Sequence, residues 1–192
     1  MEIFTFCPID TDDSLIEIFR EELEALPKDY WHYDKFRNCY ILPMWNPSAQ
    51  QNVVDPTLNG PNEFTEAANR CPSIKEYLSP LLYKLNGRLT VLKTLPTQQM
   101  NIHLDCKKSE VGTEQYKWRM VVKGDRNSLY FLDENNQKVY PNKNYSTYVM
   151  DGGHPHGIDH IDEKITICIG SKWRGTPMPE NLLTQEKVIQ FW

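Results

Sequence analysis

Arg88-Leu89-Thr90-Val91-Leu92-Lys93-Thr94-Leu95 marks the point where the pattern of this chain changes. Before Gly87, apolar residues recur at helical spacing. After it, apolar and polar residues alternate, as a strand with two different faces requires. The same alternation returns in Lys164-Ile165-Thr166-Ile167-Cys168-Ile169-Gly170. Between these two stretches, further short strands are expected at 100–106, 116–124, 128–133, 137–140 and 145–150, separated by Gly, Asn, Asp and Pro. Many short strands joined by turn residues predict a barrel or a sandwich. No strand–helix–strand rhythm runs through this half, which excludes a parallel nucleotide-binding sheet. The fold class is mainly β with supporting helices.

Upstream, Glu2–Ile9 reads as a short strand stopped near Pro8. Thr11-Asp12-Asp13-Ser14 offers helix caps, and Leu15, Ile16, Phe19, Leu23 and Leu26 follow at helical spacing, predicting a helix over 13–26. Asn38–Trp45 reads as a strand whose Pro43 assigns it to a sheet edge or to an exit from the sheet. Residues 46–63 read as a long loop and 62–70 as a helical turn. A second helix is expected over 72–86, kinked or divided by Pro80 and closed by Gly87. The chain divides as one domain over 1–192, with 1–87 as helical and loop support, 88–173 as the β core and 174–192 as a tail.

Composition narrows the class. Charged residues make up 24% of 192 and the net charge is −5, with basic residues scattered, which disfavours nucleic acid as a partner. Mean hydropathy is −0.60, and no apolar run approaches the ~20 residues of a membrane span. The N-terminus lacks the features of a signal peptide. A soluble, cytoplasmic protein is the expectation. The five cysteines are widely spaced with no Cys-x-x-Cys pair, so they read as reduced thiols packed in the core, with Cys106 set apart by its position.

Four of the five histidines (His103, His154, His156 and His160) fall between residues 103 and 160. In a strand, His103 and Asp105 would share one face. One imidazole and one carboxylate on adjacent same-face positions, joined by a histidine from another strand, form a two-histidine, one-carboxylate metal triad with open positions, which suits Fe(II). Lys164 opens the last apolar strand shortly after the cluster, where a cation can hold a carboxylate.

In this order the residues resemble the Fe(II)/2-oxoglutarate-dependent oxygenases, nearest to the aspartyl/asparaginyl β-hydroxylase-like and free-amino-acid hydroxylase branches. The matching pieces are His103-Leu104-Asp105, then Arg119-Met120-Val121-Val122, Tyr145–Asp151, Pro155-His156-Gly157-Ile158 and Lys164-Ile165-Thr166-Ile167. The resemblance covers about residues 88–173. It implies a double-stranded β-helix, a jelly-roll of cupin-like type. It further implies Fe(II) on His103, Asp105 and His156, and 2-oxoglutarate with its distal carboxylate on Lys164. Arg119 would bind the co-substrate or a substrate carboxylate. His156, followed by Gly-Ile, fits the third-ligand pattern better than His154, while Asp159 and His160 read as supporting or surface groups. Lys stands where this branch carries Arg, as in prolyl hydroxylases, and 107–117 reads as an insertion able to act as a lid. The implied reaction uses O2 and yields succinate and CO2 while hydroxylating an amino acid, free or in a peptide. Two rivals remain: a cupin-like metalloenzyme that does not use 2-oxoglutarate, and a non-catalytic β-barrel binding module.

Overall fold

A computed structural model of the protein describes residues 4–35, 37–47, 49, 61–85, 88–96, 98, 100–105, 116–141, 144–170 and 189–191. In chain order the elements begin with strand β1 (Phe4–Ile9), helix α1 (Asp13–Glu24), a 3-10 turn (Lys28–Tyr30), β2 (His32–Asp34), β3 (Cys39–Pro47) and β4 (Asn62–Phe64). Helices α2 (Glu66–Asn69) and α3 (Pro72–Leu85) follow. Then come β5 (Arg88–Thr94), β6 (Met100–His103), β7 (Tyr116–Lys123), β8 (Leu129–Leu132), β9 (Lys138–Val139), β10 (Thr147–Asp151), β11 (His156–Ile158), β12 (Lys164–Gly170) and β13 (Ile189–Phe191). Cys106 and the expected insertion up to residue 115, the Gly87 cap and the loop over 51–60 lie outside the described residues.

Among the described residues the strands form two antiparallel sheets. The nine-stranded sheet runs β13-β1-β10-β7-β12-β5-β3-β2 with β4 on β3, and the four-stranded sheet runs β6-β11-β8-β9. Two facing antiparallel sheets, between which the chain passes back and forth, are the expected double-stranded β-helix, or jelly-roll. Residues before 88 supply strands as well as helices, since β1 to β4 all join the large sheet.

Alternation assigns each strand of the large sheet two faces. Leu89 and Val91, Trp118 and Met120, Val149, and Ile165, Ile167 and Ile169 turn outward, onto Ile16, Phe19 and Leu23 of α1 and Ile74, Leu78 and Leu82 of α3. The other face looks into the roll. There Phe6, Val121, Tyr148 and Met150 meet Leu129 and Phe131 from the small sheet. Burying one such aliphatic or aromatic side chain contributes about 1.5–3 kcal/mol, so the outer layer is the main source of stability.

Local chemistry sets the helix ends. Asp12 caps α1, its carboxylate accepting from the Ser14 N–H at 2.8 Å. The start of α3 is capped from another helix: Glu22 of α1 accepts from the Ser73 and Ile74 N–H groups at 2.8 and 3.2 Å. Pro80 lies inside α3 without dividing it.

Pro43 behaves differently from its sequence reading. Pro43 does not mark an edge, because β3 is paired by β5 on one side and by β2 and β4 on the other. The β3–β5 register shifts between Pro43 and Trp45, and this irregularity accommodates the missing N–H. Pro8 stands one residue before the end of β1 at Ile9, where the strand was expected to stop. It pairs with Tyr148 of β10, while β13 on the other side reaches only Phe4–Phe6.

Candidate metal centre

β6 ends at His103, and Asp105 lies just beyond it in a bend. The shared face of His103 and Asp105 therefore comes from a turn as well as from strand alternation. A backbone tie sets this turn: the Asp105 N–H donates to the Gly152 carbonyl at 3.0 Å. A Cβ on Gly152 would come within 2.9 Å of the Asp105 Cβ and 3.0 Å of its Oδ2. Only glycine lets these two segments approach so closely.

On the neighbouring strand, His156 pairs directly with His103, and the two rings lie 4.5 Å apart between centroids. The ligand atoms of His103, Asp105 and His156 all fall within 4.8 Å of one another. His154 points elsewhere, with its Nε2 3.8 Å from Asp151 Oδ2. Asp159 is held at the surface by Lys138 and Tyr140, at 2.5 and 2.8 Å. His160 is buried, its Nδ1 2.5 Å from the Asp162 carbonyl.

The donor set suits a divalent cation. His156 Nδ1 lies 2.8 Å from the His154 carbonyl, which makes it the protonated nitrogen and leaves Nε2 with a bare lone pair. That Nε2 faces Asp105 Oδ2 at 3.3 Å, and both atoms are buried without a hydrogen-bond partner. Two acceptors buried face to face are costly unless something positive sits between them. Burial lowers the His156 pKa and keeps the ring neutral, as a metal ligand must be. Burial alone would raise the Asp105 carboxyl, but Lys117, His103, His156 and Arg119 together hold it well below its usual value. A deprotonated carboxylate and neutral imidazoles are the ligands that Fe(II) takes in a site with open positions.

Cations crowd the same spot. Lys117 Nζ lies 2.7 Å and an Arg119 terminal nitrogen 3.5 Å from the Asp105 carboxylate. Both project from the inner face of β7, while Trp118 between them turns to the outer core. A cleft of about 110 Å³ opens beside them, lined by Arg37, Arg88, Thr90, His103 and Cys168 among others. Lys164, also buried, does not line it. Its ammonium donates to the Asp125 carbonyl at 2.7 Å and to the Ser128 hydroxyl, in the turn between β7 and β8. Burial pulls its pKa down to about 7. Gly124, at φ +90°, makes that turn possible, because a Cβ there would stand 2.6 Å from the Glu163 carbonyl.

Arg88, Lys117 and Gly152 were missed by sequence reasoning. Lys117 was within reach, since it stands two residues before Arg119 on the same face. Arg88 and Gly152 carry no local signal, because their partners are distant in sequence. Of the cysteines, Cys39, Cys71 and Cys168 are free, and burial pushes the first two up to about 12.

No family model and no curated protein matches the sequence, but solved structures match the fold. A prolyl hydroxylase from Trichoplax adhaerens, in complex with a hypoxia inducible factor oxygen degradation domain peptide, superimposes with a TM-score of 0.55 at 10% identity, covering 86% of this chain and 82% of that one. HygX from Streptomyces hygroscopicus, with nickel and 2-oxoglutarate bound, gives 0.52 at 12% over 88% and 83%. An oxidoreductase of the 2OG-Fe(II) oxygenase family from Burkholderia pseudomallei gives 0.50 at 10% over 83% and 81%. The chain therefore has the jelly-roll fold of the 2-oxoglutarate/Fe(II) oxygenases.

Proposed function

We propose that this chain is an Fe(II)/2-oxoglutarate-dependent oxygenase that hydroxylates an amino acid, free or within a peptide. The observation that carries the reading is the convergence of His103, Asp105 and His156 on a jelly-roll, with Asp105 Oδ2 and His156 Nε2 buried and without hydrogen-bond partners. The fold neighbours add support, one being described with nickel and 2-oxoglutarate and another with a peptide.

In this reading His103, Asp105 and His156 hold Fe(II). The bound metal and co-substrate supply the oxidation: 2-oxoglutarate and O2 become succinate and CO2, and one oxygen atom enters a substrate C–H bond. The chain's own residues supply binding and orientation. Lys164 takes the distal carboxylate of 2-oxoglutarate, and a carboxylate there would favour its charged form against the burial that now disfavours it. Arg119, fully charged and buried, takes a second carboxylate, from co-substrate or substrate. The hydrogen bond between His156 Nδ1 and the His154 carbonyl fixes the ring so that Nε2 faces the metal.

The test is succinate release that requires both Fe(II) and 2-oxoglutarate. The reading is abandoned if His103→Ala releases succinate at the wild-type rate. Lys164→Met should raise KM for 2-oxoglutarate while leaving Mn(II) affinity unchanged. Calorimetric binding of the metal without 2-oxoglutarate would instead favour a metalloenzyme of the same fold with another reaction.

A further inference from the structure

Three adjacent strands of the large sheet present two rows of side chains to the cleft. In one row, Thr90 of β5 stands opposite Cys168 of β12, which stands opposite Arg119 of β7. In the next, Arg88 of β5 stands opposite Gly170 of β12. The stem of Lys117 packs beyond it, so that a Cβ on Gly170 would meet Lys117 Cγ at 3.1 Å and Cδ at 3.2 Å. Neighbouring strands are about 4.8 Å apart, so two long cationic side chains stand on either side of a residue that has no side chain.

The surroundings have one sign. Arg37, Arg88, Lys117 and Arg119 line the cleft, and Asp105 is the only acidic side chain among the described residues that do. Arg88 is 3% exposed. Arg37, at the mouth, is paired with Asp34 at 2.5 Å. Once Asp105 is committed to a divalent metal, it no longer offsets Lys117 and Arg119 as it does now. The two carboxylates of 2-oxoglutarate leave part of this positive charge uncancelled. The charge left on Lys117 and Arg119 favours an incoming group of the opposite sign.

We infer that Arg88 and Lys117 form a pincer across Gly170 that binds an anionic group of the substrate, a carboxylate or a phosphate, beside the metal. The inference rests on the oxygenase reading above and narrows its substrate to small acidic molecules or acidic residues. Arg88 is the specificity determinant, because its planar guanidinium can take two oxygens of such a group at once.

The experiment is calorimetry on the protein loaded with Mn(II) and saturating 2-oxoglutarate, at fixed ionic strength. L-glutamate is compared with L-glutamine for a carboxylate, and O-phospho-L-serine with L-serine for a phosphate. At least one acidic probe should bind about tenfold or more tighter than its neutral counterpart, as charge-assisted bonds require. Arg88→Gln should level the pair without changing Mn(II) or 2-oxoglutarate affinity. Arg88→Lys should keep part of the preference. Gly170→Ala, which leaves every charge in place, should weaken the acidic probe by narrowing the gap, and it serves as the second variant where Arg88→Gln fails to fold. Equal affinity for acidic and neutral probes overturns the pincer, as does an unchanged preference in Arg88→Gln. A loss of 2-oxoglutarate binding in Arg88→Gln also overturns it, since the pincer would then hold the co-substrate. Failure of the wild type to bind Mn(II) or 2-oxoglutarate sinks the oxygenase reading instead, and the same titrations on the metal-free protein then decide the pincer alone.

Discussion

The two faces of the large sheet are built to different rules, although the same strands supply both. On the outer face, Ile165, Ile167 and Ile169 of β12 pack with Trp118, Met120 and Val149 against α1 and α3. Opposite the inner face, on β11 of the small sheet and in the turn after β6, His156 Nε2 and Asp105 Oδ2 are buried without hydrogen-bond partners. The inner face also buries Lys164, Thr166 and Arg119. Apolar burial stabilises, whereas buried charge and unpaired acceptors cost free energy until a ligand arrives. Apolar packing on the outer face offsets the cost that the inner face carries.

This division can be broken by substitution. His103→Ala removes a proposed metal ligand from a partly exposed position and should weaken Mn(II) binding by more than the roughly 10–100-fold that loss of a group supporting a ligand costs. Thermal unfolding of the metal-free variant should stay close to wild type. Phe19→Ala, fully buried in the outer layer, should do the reverse, costing about 3–5 kcal/mol in urea unfolding while its folded fraction keeps the wild-type Mn(II) affinity. If Phe19→Ala lost metal affinity as well, the two faces would not be independent.

Gly152→Ala sharpens the comparison at a single contact. The added methyl must push on Asp105, so Mn(II) affinity should fall roughly 10–100-fold, and calorimetry reads it directly. An unchanged affinity would mean that the turn yields freely.

The smallest effect is a pH slope. Lys164 has a folded pKa of about 7 against an unfolded value near 10.4. Between these values the unfolded chain binds a proton that the native protein does not, so stability rises with pH across that window. The slope is at most about 1.4 kcal/mol per pH unit. Comparing metal-free wild type with Lys164→Met in urea from pH 7 to 9 should show the wild type gaining on the variant. Parallel curves would remove Lys164 from the buried charges of the inner face.

Much of the fold could be read directly. Alternation in Arg88–Leu95 and Lys164–Gly170 identified two central strands and both of their faces, and helical spacing located α1 and α3. Pro43 misled because a proline's position in a sheet depends on which neighbour faces its missing N–H. Pro43 sits at a register shift against β5, a partner that is not visible locally. His103 and Asp105 drew attention as a pair, and His156 as one of a cluster. Their convergence depends on β6 and β11 pairing across about 50 residues of chain.

The sequence by itself determined which residues alternate, where chemistry-bearing side chains concentrate, and how charge is distributed along the chain. Those properties are local or additive, so they can be read without partners. Tertiary structure alone decided that Gly152 sets the carboxylate of Asp105, that Lys164 is bonded to the turn between β7 and β8, and that Arg88 and Lys117 face each other across Gly170. Each is a meeting of strands far apart in sequence, and only cross-strand register brings such residues together.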